Sequence, residues 1–477
     1  MRDFTIAVVG GGFSGSLLSL HLLRHCPPHA RIVLIERNAA FGRGVAYSTG
    51  SASHLLNVPA GRMSAFHDRP TDFLNWLTRQ TAANAAAPTA GSFVPRQIYG
   101  DYIGHLLDAG LAGQTGARLR LMHADAVSLD RSGHPLQIHL ADGTVVAADL
   151  AVLAIGNFPP APPPVADPSF YDTAFYAPDP WAAGTLDGLA PDAPVLLVGT
   201  GLTMVDVAIS LLDRGHRGPI HAMSRRGLLP RRHAAAGAGP HDANPYPTTT
   251  RALMRQLRQQ AAQATAAGGS WHAVIDGLRP FTQDIWQAMD AAERARFLRH
   301  PRAWWDVLRH RMAGAVADRI DAAQARGQMR IHAGRVTGYR IPDRPAALAD
   351  VIWRPRGTEG RQSLQVARVV NCTGVFPDFA RIPHPLVRNL LGTGVARPDS
   401  LRLGLDVTRN GALRNAAGAI SRRIFAVGPV TKGAFWEMTA VPDIRRQCEV
   451  LAFHLAGLVR PAGSPPAPPA IKPAGAR

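Results

Sequence analysis

An apolar run that leads directly into a glycine-rich turn constrains this chain more than any other feature. Residues 4–15 read FTIAVVGGGFSG, which places Gly10, Gly12 and Gly15 in the spacing GxGxxG after a predicted strand. A second apolar run, RIVLIE, ends at Glu36, 21 residues after Gly15. The three glycines permit a tight turn, close approach of the backbone to a pyrophosphate and close packing of the next helix. The pattern predicts a βαβ unit that binds a dinucleotide.

The acid that ends the second run indicates which dinucleotide binds here. A carboxylate at Glu36 can accept hydrogen bonds from the adenosine ribose and would repel a 2′-phosphate. The first turn therefore favours FAD or NAD over NADP. Ser14 lies within the same turn and is a further predicted cofactor contact.

A second segment with the same organisation lies in the middle of the chain. Residues 194–212, PVLLVGTGLTMVDVAISLL, place an apolar strand before a glycine turn and an amphipathic helix. Met204 occupies the third glycine position, which departs from the fingerprint, and Thr203 is predicted to cap the helix. The predicted cofactor contacts of this turn are Gly199, Gly201, Leu202 and Thr203.

The strand that follows this second unit ends in basic residues where the first unit has its acid. Ser224, Arg225 and Arg226 stand at that position. Because guanidinium groups suit phosphate oxygens, they favour NADPH, with NADH as the alternative. An exposed basic turn without a ligand is the other interpretation.

Three further apolar runs end near a glycine, at Gly156, Gly374 and Gly428. In doubly wound folds such strand ends meet the cofactor. We therefore predict an α/β protein with two Rossmann-like dinucleotide-binding domains, the NADP domain inserted into the FAD domain, plus a helical insertion. The predicted parts are an FAD-binding domain over 1–165 and 366–458, an NAD(P)-binding domain over 190–365 with a helical insertion at 249–327, and a disordered tail at 459–477.

Composition excludes several other classes. The chain of 477 residues has a net charge of +18, but the excess is arginine spread along its length, so a nucleic-acid surface is not predicted. The cysteines lie far apart and have no metal-ligand spacing, so no metal site is expected. Without a signal peptide or an apolar run long enough to span a bilayer, we expect a cytoplasmic protein with no membrane partner.

The region 249–327 carries four tryptophans among arginines. At helical spacing such residues are more often core than ligand contacts, so packing is favoured over a substrate lid. The glycine- and proline-containing loop 230–247 is predicted to be mobile.

Several longer motifs carry a family resemblance over residues 1–455. They are FGRGVAY at 41–47, HLLNVPAGRMSAF at 54–66, FVPRQIYGDY at 93–102, VGTGLTMVD at 198–206, SRRGLLPR at 224–231 and FWEMTAVPDIR at 435–445. The chain resembles the FAD/NAD(P)-binding flavoprotein group that includes FAD-dependent urate hydroxylases and aspartate N-monooxygenases. It is more distantly similar to ornithine and lysine N-hydroxylases.

The resemblance implies further contacts to FAD. Arg43 and Gly44 would lie near the diphosphate and ribose, Met63 and Ser64 near the flavin, and Arg96 would contact FAD or neutralise nearby charge. A surface ion pair is the alternative for Arg96.

The resemblance also places the C-terminal motif at the flavin. Gly428 and Pro429 replace a Gly-Asp pair of many relatives, so the carboxylate contact to the ribityl chain is missing. A backbone amide is expected to contact the ribityl chain instead. Ala440 and Val441 would run along the isoalloxazine ring, with Asp443 opening the final helix. The candidates for holding substrate are His54, Asn57, Trp436 and Glu437.

Two nucleotide sites imply hydride transfer from a nicotinamide to flavin. Residues 41–70 hold no cysteine, which argues against a disulfide acceptor, and oxygen is the expected electron acceptor. We therefore expect an NAD(P)H-dependent FAD monooxygenase that acts through a C4a-hydroperoxyflavin on a small, polar, nitrogen-rich substrate. Urate is the first expectation and an aspartate-like amine the second.

Two other classes stay open from the sequence. One is a flavin-dependent reductase or oxidase without substrate oxygenation, and the other is a nucleotide-sensing binding protein. The expected partners are a small-molecule substrate and molecular oxygen, with a homo-oligomer left open.

Overall fold

A computed structural model describes residues 3–81, 86–113, 116–234, 246–341 and 348–459. Of the predicted tail, 459–477, only Val459 lies within these ranges. Most of the loop 230–247, which is predicted to be mobile, also lies outside them. The first part of the first domain contains β1 (Phe4–Val9), α1 (Phe13–His25), β2 (Ala30–Glu36), α2 (Gly44–Tyr47), α3 (Asp72–Gln80), α4 (Arg96–Ala112), β3 (Leu119–His123), β4 (Ala126–Asp130), β5 (Leu136–Leu140), β6 (Val145–Ala148) and β7 (Leu150–Leu153).

The second domain, with the helices inserted into it, follows. Its elements are β8 (Tyr176–Ala177), β9 (Val195–Val198), α5 (Leu202–Asp213), β10 (Ile220–Ser224), α6 (Thr250–Ala266), α7 (Trp271–Gly277), α8 (Thr282–Ala288), α9 (Ala291–Arg299), α10 (Arg302–Arg309), α11 (Gly314–Ala325), β11 (Met329–Arg340), β12 (Ala349–Pro355), β13 (Gln362–Val366) and β14 (Arg368–Asn371). The chain then returns to the first domain with α12 (Pro385–Gly392), β15 (Ala412–Arg414), β16 (Ile420–Ala426) and α13 (Val441–Val459).

The first domain is organised around a six-stranded sheet in the order β15-β16-β7-β1-β2-β3. All neighbours are parallel except β15 and β16. Ile6, Ala7 and Val8 of β1 are completely buried, as expected for a central strand with helices on both faces. The antiparallel strands β4, β5 and β6 form a separate small sheet. The carboxyl ends of β1, β7 and β16 meet at one edge, where the first glycine turn lies.

The second sheet has the order β13-β12-β11-β10-β9-β14-β8. Its strands from β11 to β8 are parallel, and β12 and β13 add an antiparallel edge. The predicted domain boundary at residue 366 is wrong, because β14 pairs with β9 through Val369 and Leu196 in this second sheet. An apolar run ending at a glycine does not reveal which of two similar sheets it joins. β8 also lies before residue 190, so the domain begins earlier than predicted.

The predicted helical insertion is present but ends earlier than residue 327. The helices α6 to α10 share an apolar core of their own. In contrast, α11 contributes Ala317, Ile320 and Ala323 to the core of the second domain, where they pack with Val205 and its neighbours. Helix α11 is therefore the helix that precedes β11 in the βαβ organisation of that domain.

The two connections between the domains run side by side. Phe158 and Phe376 form an isolated antiparallel bridge, in which the Phe376 N–H donates to the Phe158 carbonyl at 3.2 Å. Within the described ranges, no helix is both long and apolar enough to cross a bilayer.

Candidate functional site

The first glycine turn has the close contacts that its sequence predicts. Gly10 has a φ of +104°, and a Cβ added there would lie 2.3 Å from the Ala154 carbonyl oxygen. A Cβ at Gly15 would lie 1.8 Å from the Gly10 carbonyl oxygen, so neither position accepts a side chain. Gly12 faces the backbone of Gly44. The turn leads into the N-terminus of α1, which suits a diphosphate.

Glu36 is buried beside this turn. Its Oε2 accepts the Gly11 N–H at 2.7 Å, and its Oε1 accepts the backbone and side-chain N–H groups of Asn38 at 2.8 and 2.7 Å. These donors orient the carboxylate at the end of β2. The arrangement fits the acceptor role toward a ribose that the sequence predicts.

Gly428 approaches the first turn from β16. Its φ is +80°, and an added Cβ would lie 2.4 Å from Ser14 Oγ. Its N–H donates to Gln447 Oε1 at 2.8 Å, and Pro429 has no N–H to donate. The backbone amide that was expected to replace the missing carboxylate is therefore already bonded within the protein. Gln447, which the sequence reasoning missed, is the polar side chain at this position.

The segments predicted to lie near the flavin come together across the chain. Met63 and Ser64 are buried, and the Ser64 carbonyl accepts a hydrogen bond from Arg445 at 2.9 Å. Helix α13 begins at Val441, directly after Ala440, and Asp443 lies in its first turn.

Two further glycines and one arginine complete this set. Arg43, which immediately precedes α2, forms an ion pair with Asp101 of α4. Gly156 and Gly374 have φ values of +64° and +90°, follow β7 and β14, and face open space. Their assignment to cofactor contacts stays a prediction.

The second glycine turn is similar but less constrained. Gly199 has a φ of +118°, and an added Cβ would lie 2.2 Å from the Cys372 carbonyl oxygen. The prediction that Thr203 caps the helix is wrong, because α5 begins at Leu202 and its N-cap is Gly201. Met204 is completely buried in the core of this domain, so the third glycine position carries a packing residue here.

The basic turn after β10 is held by its serine. Ser224 Oγ accepts hydrogen bonds from Thr200 Oγ1 at 2.8 Å and from the Gly227 N–H at 3.0 Å. Arg225 is exposed and Arg226 is half-buried. Neither guanidinium forms an ion pair with an acid in the described part of the chain, so both are available to an anion.

His54 and Arg96 lie at the contact between the two domains. His54 Nδ1 is 2.6 Å from Thr49 Oγ1, and its Nε2 is 2.8 Å from Ser210 Oγ. Arg96 forms a largely buried ion pair of 2.8 Å with Asp206, not an ion pair at the surface, and its contact with FAD stays a prediction. Burial lowers the pKa of His54, against the opposing effect of Asp206. A substrate role for His54 stays a prediction, since both ring nitrogens already have partners.

Asn57 lies at a second contact with the inserted domain. Its carbonyl oxygen accepts a hydrogen bond from His233 Nε2 at 3.0 Å. Its side chain is half-buried. No hydrogen bond among the described residues links its side chain to His54, Trp436 or Glu437, and its role stays a prediction.

Trp436 joins the C-terminal motif to the helical insertion. Its ring stacks on Trp286 with centroids 4.8 Å apart, and the Trp286 indole N–H donates to the Gly433 carbonyl at 2.8 Å. Trp305 is also buried, whereas Trp304 is 43% exposed. The packing interpretation is therefore correct for Trp286 and Trp305.

Glu437 lies at the centre of a buried charged cluster. It is 4% exposed, has a φ of +64°, and accepts hydrogen bonds from Trp305 Nε1 and from Arg309 Nε, the latter at 2.8 Å. We call the surrounding set the arginine cluster, and its members are Arg279, Arg309, Arg311, Asp276, Glu437 and Asp443. Sequence reasoning found Glu437 but missed the arginines, which stand in LRP at 278–280 and RHR at 309–311.

The cluster leaves donor atoms unsatisfied. Arg309 Nη2 and Arg311 Nε are buried without a hydrogen-bond partner among the described residues, whereas Arg279 Nη2 faces Asp443 Oδ2, which also lacks a hydrogen bond there. The ion pair of Arg279 with Asp443 is long, at 3.5 Å. Buried polar atoms are almost always satisfied in folded proteins, so these donors indicate a place for an acceptor from outside the chain.

Burial and mutual repulsion also shift the pKa values of this region. Burial, with Arg309 nearby, lowers the pKa of Arg279 to about 10, and burial beside Arg302 lowers the pKa of Lys432 to about 8. Burial acts to raise the pKa of Glu437, but Arg309 and the other cations outweigh it and hold that pKa below its usual value. Glu437 therefore remains ionised and is committed to its arginine partner.

Comparison with known families defines the class of the protein. Residues 7–158 match the FAD-NAD(P)-binding family, and they span the first glycine turn, β2 and β7. The match covers about a third of the chain and, with the two glycine turns and the two parallel sheets, identifies an FAD/NAD(P)-binding fold. The predicted fold class, group and pair of cofactors are confirmed at this level.

Individual relatives narrow the group. The chain is similar to the L-aspartate N-monooxygenase (nitrosuccinate-forming) of Streptomyces cremeus, with 30% identity over 288 residues. The alignment covers 50% of this chain and 42% of that protein, so the chain spans less than half the length of this curated relative.

Two solved structures share the fold. The ornithine hydroxylase of Pseudomonas aeruginosa matches with a TM-score of 0.64 at 14% identity, covering 96% of this chain and 100% of that one. The ornithine N-hydroxylase of Kutzneria sp. 744, in a complex with reduced FAD, NADP⁺ and L-ornithine, also shares the fold. It matches with a TM-score of 0.63 at 14% identity, covering 96% of this chain and 99% of that one. The expectation of urate as substrate finds no support here, and the alternative of an amino-acid N-hydroxylase fits better.

Proposed function

We propose that this protein is an FAD- and NAD(P)H-dependent monooxygenase that hydroxylates the amino group of an acidic amino acid. The unsatisfied donors of Arg309 and Arg311, beside the long ion pair of Arg279 with Asp443, are the observation that carries the substrate class. Buried donors cost free energy until an acceptor meets them, and the two carboxylates of a dicarboxylic amino acid are strong acceptors for guanidinium groups. The aspartate N-monooxygenase relative supports the same class.

The cluster also suits chemistry at an amine. Cations close to a bound ammonium lower its pKa, so the arginines would favour the neutral amine, whose lone pair reacts. Burial lowers the pKa of His310, against the effect of Glu437, so this imidazole is a neutral base beside the cluster. Its Nε2 can accept the proton that leaves the amine.

The cofactors would bind at the two glycine turns. The turn at Gly10 to Gly15 and Glu36 would hold FAD, and the turn at Gly199 with Arg225 and Arg226 would hold NADPH. Bound flavin supplies hydride acceptance from the nicotinamide and the reaction with oxygen. The net reaction consumes one amine, one O₂, one NAD(P)H and one proton, and it yields the hydroxylamine, water and NAD(P)⁺.

The cluster would discriminate between amino acids through its unsatisfied donors, because each of its three arginines is already paired with an acid. A substrate whose side chain carries an ammonium group, such as ornithine or lysine, would bring further donors to Arg309 Nη2 and Arg311 Nε, which need acceptors. An acidic side chain would instead pair with them. We therefore favour aspartate or glutamate over the diamino acids.

The test is a coupling measurement in air. The FAD-loaded protein is mixed with NADPH and with L-aspartate, L-glutamate or L-ornithine, while NADPH loss, peroxide and the hydroxylated product are followed. We expect fast NADPH loss, little peroxide and a product that has gained one oxygen only with an acidic amino acid. Peroxide equal to the NADPH consumed with every amino acid would instead identify an oxidase.

A pair of variants tests the recognition site. Arg279→Gln should raise the Michaelis constant of the acidic substrate about tenfold or more, because a charge-assisted pair is lost. Arg299→Gln, at an exposed position of α9, is the matched control and should change little. Equal effects of the two substitutions would contradict the assignment.

A further inference from the structure

A cavity lies in the helical insertion, and it takes no part in the proposed reaction. Its volume is about 440 Å³, and it opens between α6, α7 and α10. Its apolar walls include Leu257, Ile275, Leu308, Trp271, Trp304 and Trp305. A volume of this size is within the range of sites that bind small molecules, which are mostly apolar with a few polar groups.

Two arginines are the charged groups that line this cavity. Arg231 and Arg258 contribute to its lining, and no acidic residue does. Both are exposed, and neither forms an ion pair within the described ranges. The backbone of Arg231 is fixed on both sides, since its N–H donates to the Val307 carbonyl at 2.9 Å and its carbonyl accepts the Met312 N–H at 2.8 Å.

The tryptophans of the cavity give it a distinctive wall. Trp304 is 43% exposed, an unusual position for so large an apolar ring, whereas Trp305 is buried. The Trp305 indole N–H donates to Glu437 of the arginine cluster. The cavity and the arginine cluster therefore share one tryptophan but have different chemistry.

We propose that this cavity binds a small amphipathic anion, an aliphatic or aromatic monocarboxylate. The apolar body would contact the tryptophans and leucines, and the carboxylate would pair with Arg231 and Arg258, since guanidinium groups bind carboxylates well. A neutral ligand would make no use of the two arginines, and a cation would be repelled by them. This site is additional to the proposed reaction and does not depend on it.

Matched ligands test the proposal directly. Octanoate, octan-1-ol and octylammonium have the same apolar chain and differ in the charge of the head group. Titration of the FAD-loaded full chain, followed by calorimetry and tryptophan fluorescence, should show saturable binding of octanoate. We expect weaker binding of the alcohol and no measurable binding of the ammonium ion.

Variants locate the binding. Ala261→Trp places a large ring in the cavity and should abolish octanoate binding. Arg258→Gln, a change at an exposed position, should weaken octanoate binding by about threefold to tenfold. Arg255→Gln lies on the exposed surface of the same helix, outside the lining, and should leave the affinity unchanged.

Four results would overturn the proposal. They are a lack of saturable octanoate binding, equal affinity for octan-1-ol, unchanged affinity in folded Ala261→Trp, and equal effects of the two arginine substitutions. If octanoate fails to bind and Trp304→Ala abolishes a self-association of the protein, the face is an interface between copies instead. Binding is measured without turnover, so these results are distinguishable from failure of the proposed reaction.

Discussion

Arg96 of the first domain and Asp206 of the second form an ion pair of 2.8 Å, with both side chains largely buried. Arg96 is fixed further by Nε, which donates to the Leu55 carbonyl at 3.2 Å. Burial raises the pKa of Asp206, although Arg96 opposes that effect. The pair therefore joins the start of α4 to α5, the helix that follows the second glycine turn, and its carboxylate depends on the arginine for compensation.

Replacing Arg96 by methionine should destabilise the protein strongly. The change leaves an uncompensated buried carboxylate, which costs about 3–5 kcal/mol. Denaturant unfolding measures the loss, and the double variant Arg96→Met/Asp206→Leu should recover most of it. Arg217→Met, which breaks the exposed pair with Asp192, is the control and should have little effect. A double variant no more stable than Arg96→Met would argue against this account.

Replacing Glu36 by alanine should weaken FAD retention. The change removes the acceptor expected for the ribose and leaves the Gly11 N–H without its buried partner. We expect the variant to lose flavin on gel filtration under conditions in which the unmodified protein stays yellow. The ratio of rates with NADPH and NADH should not change, and a shift in that ratio would mean that the two nucleotide sites are reversed.

Replacing Arg225 and Arg226 together by alanine should affect NADPH far more than NADH. Both guanidinium groups lie beyond β10 without an acidic partner among the described residues, and each can pair with the 2′-phosphate. We expect the Michaelis constant for NADPH to rise about tenfold or more, with a much smaller change for NADH. Steady-state kinetics with both nucleotides measures this, and equal losses would refute the 2′-phosphate assignment.

The sequence predicts those parts of the molecule whose chemistry is local. The contact of Gly15 with the Gly10 carbonyl follows from spacing within one turn, whereas Gly10 and Gly199 contact the backbone of Ala154 and Cys372, 144 and 173 residues away in the chain. The sheet to which β14 belongs could not be predicted, because its pairing with β9 joins residues about 170 positions apart in the chain. The local sequence pattern therefore predicts the glycine turns, whereas tertiary packing decides which strands pair.

The candidate substrate site also depends on contacts between residues that are far apart in the chain. Glu437 contacts Arg309 and Trp305 across more than 120 residues, so the acid could be selected from its motif but its partners could not. The arginines of LRP and RHR look like ordinary surface charges in a chain rich in arginine. Only their burial in the helical insertion distinguishes them.

His21 should make the stability of the fold depend on pH. It is buried in α1, neither ring nitrogen has a hydrogen-bond partner among the described residues, and its ring packs edge-on against Phe66 with centroids 5.4 Å apart. Burial, with Arg24 nearby, lowers its pKa from 6.5 to about 3. The unfolded chain therefore binds a proton at a higher pH than the folded protein does.

The stability contributed by neutral His21 is fully present above pH 6.5 and is lost as the pH falls toward about 3. Within this window one such group changes the free energy of unfolding by at most about 1.4 kcal/mol per pH unit. His21→Leu should remove this part of the slope, because leucine has no proton to gain and leaves no unsatisfied nitrogen. Urea unfolding between pH 8 and pH 5 measures the two slopes. If the variant and the unmodified protein lose stability equally over that range, His21 is not the group that titrates.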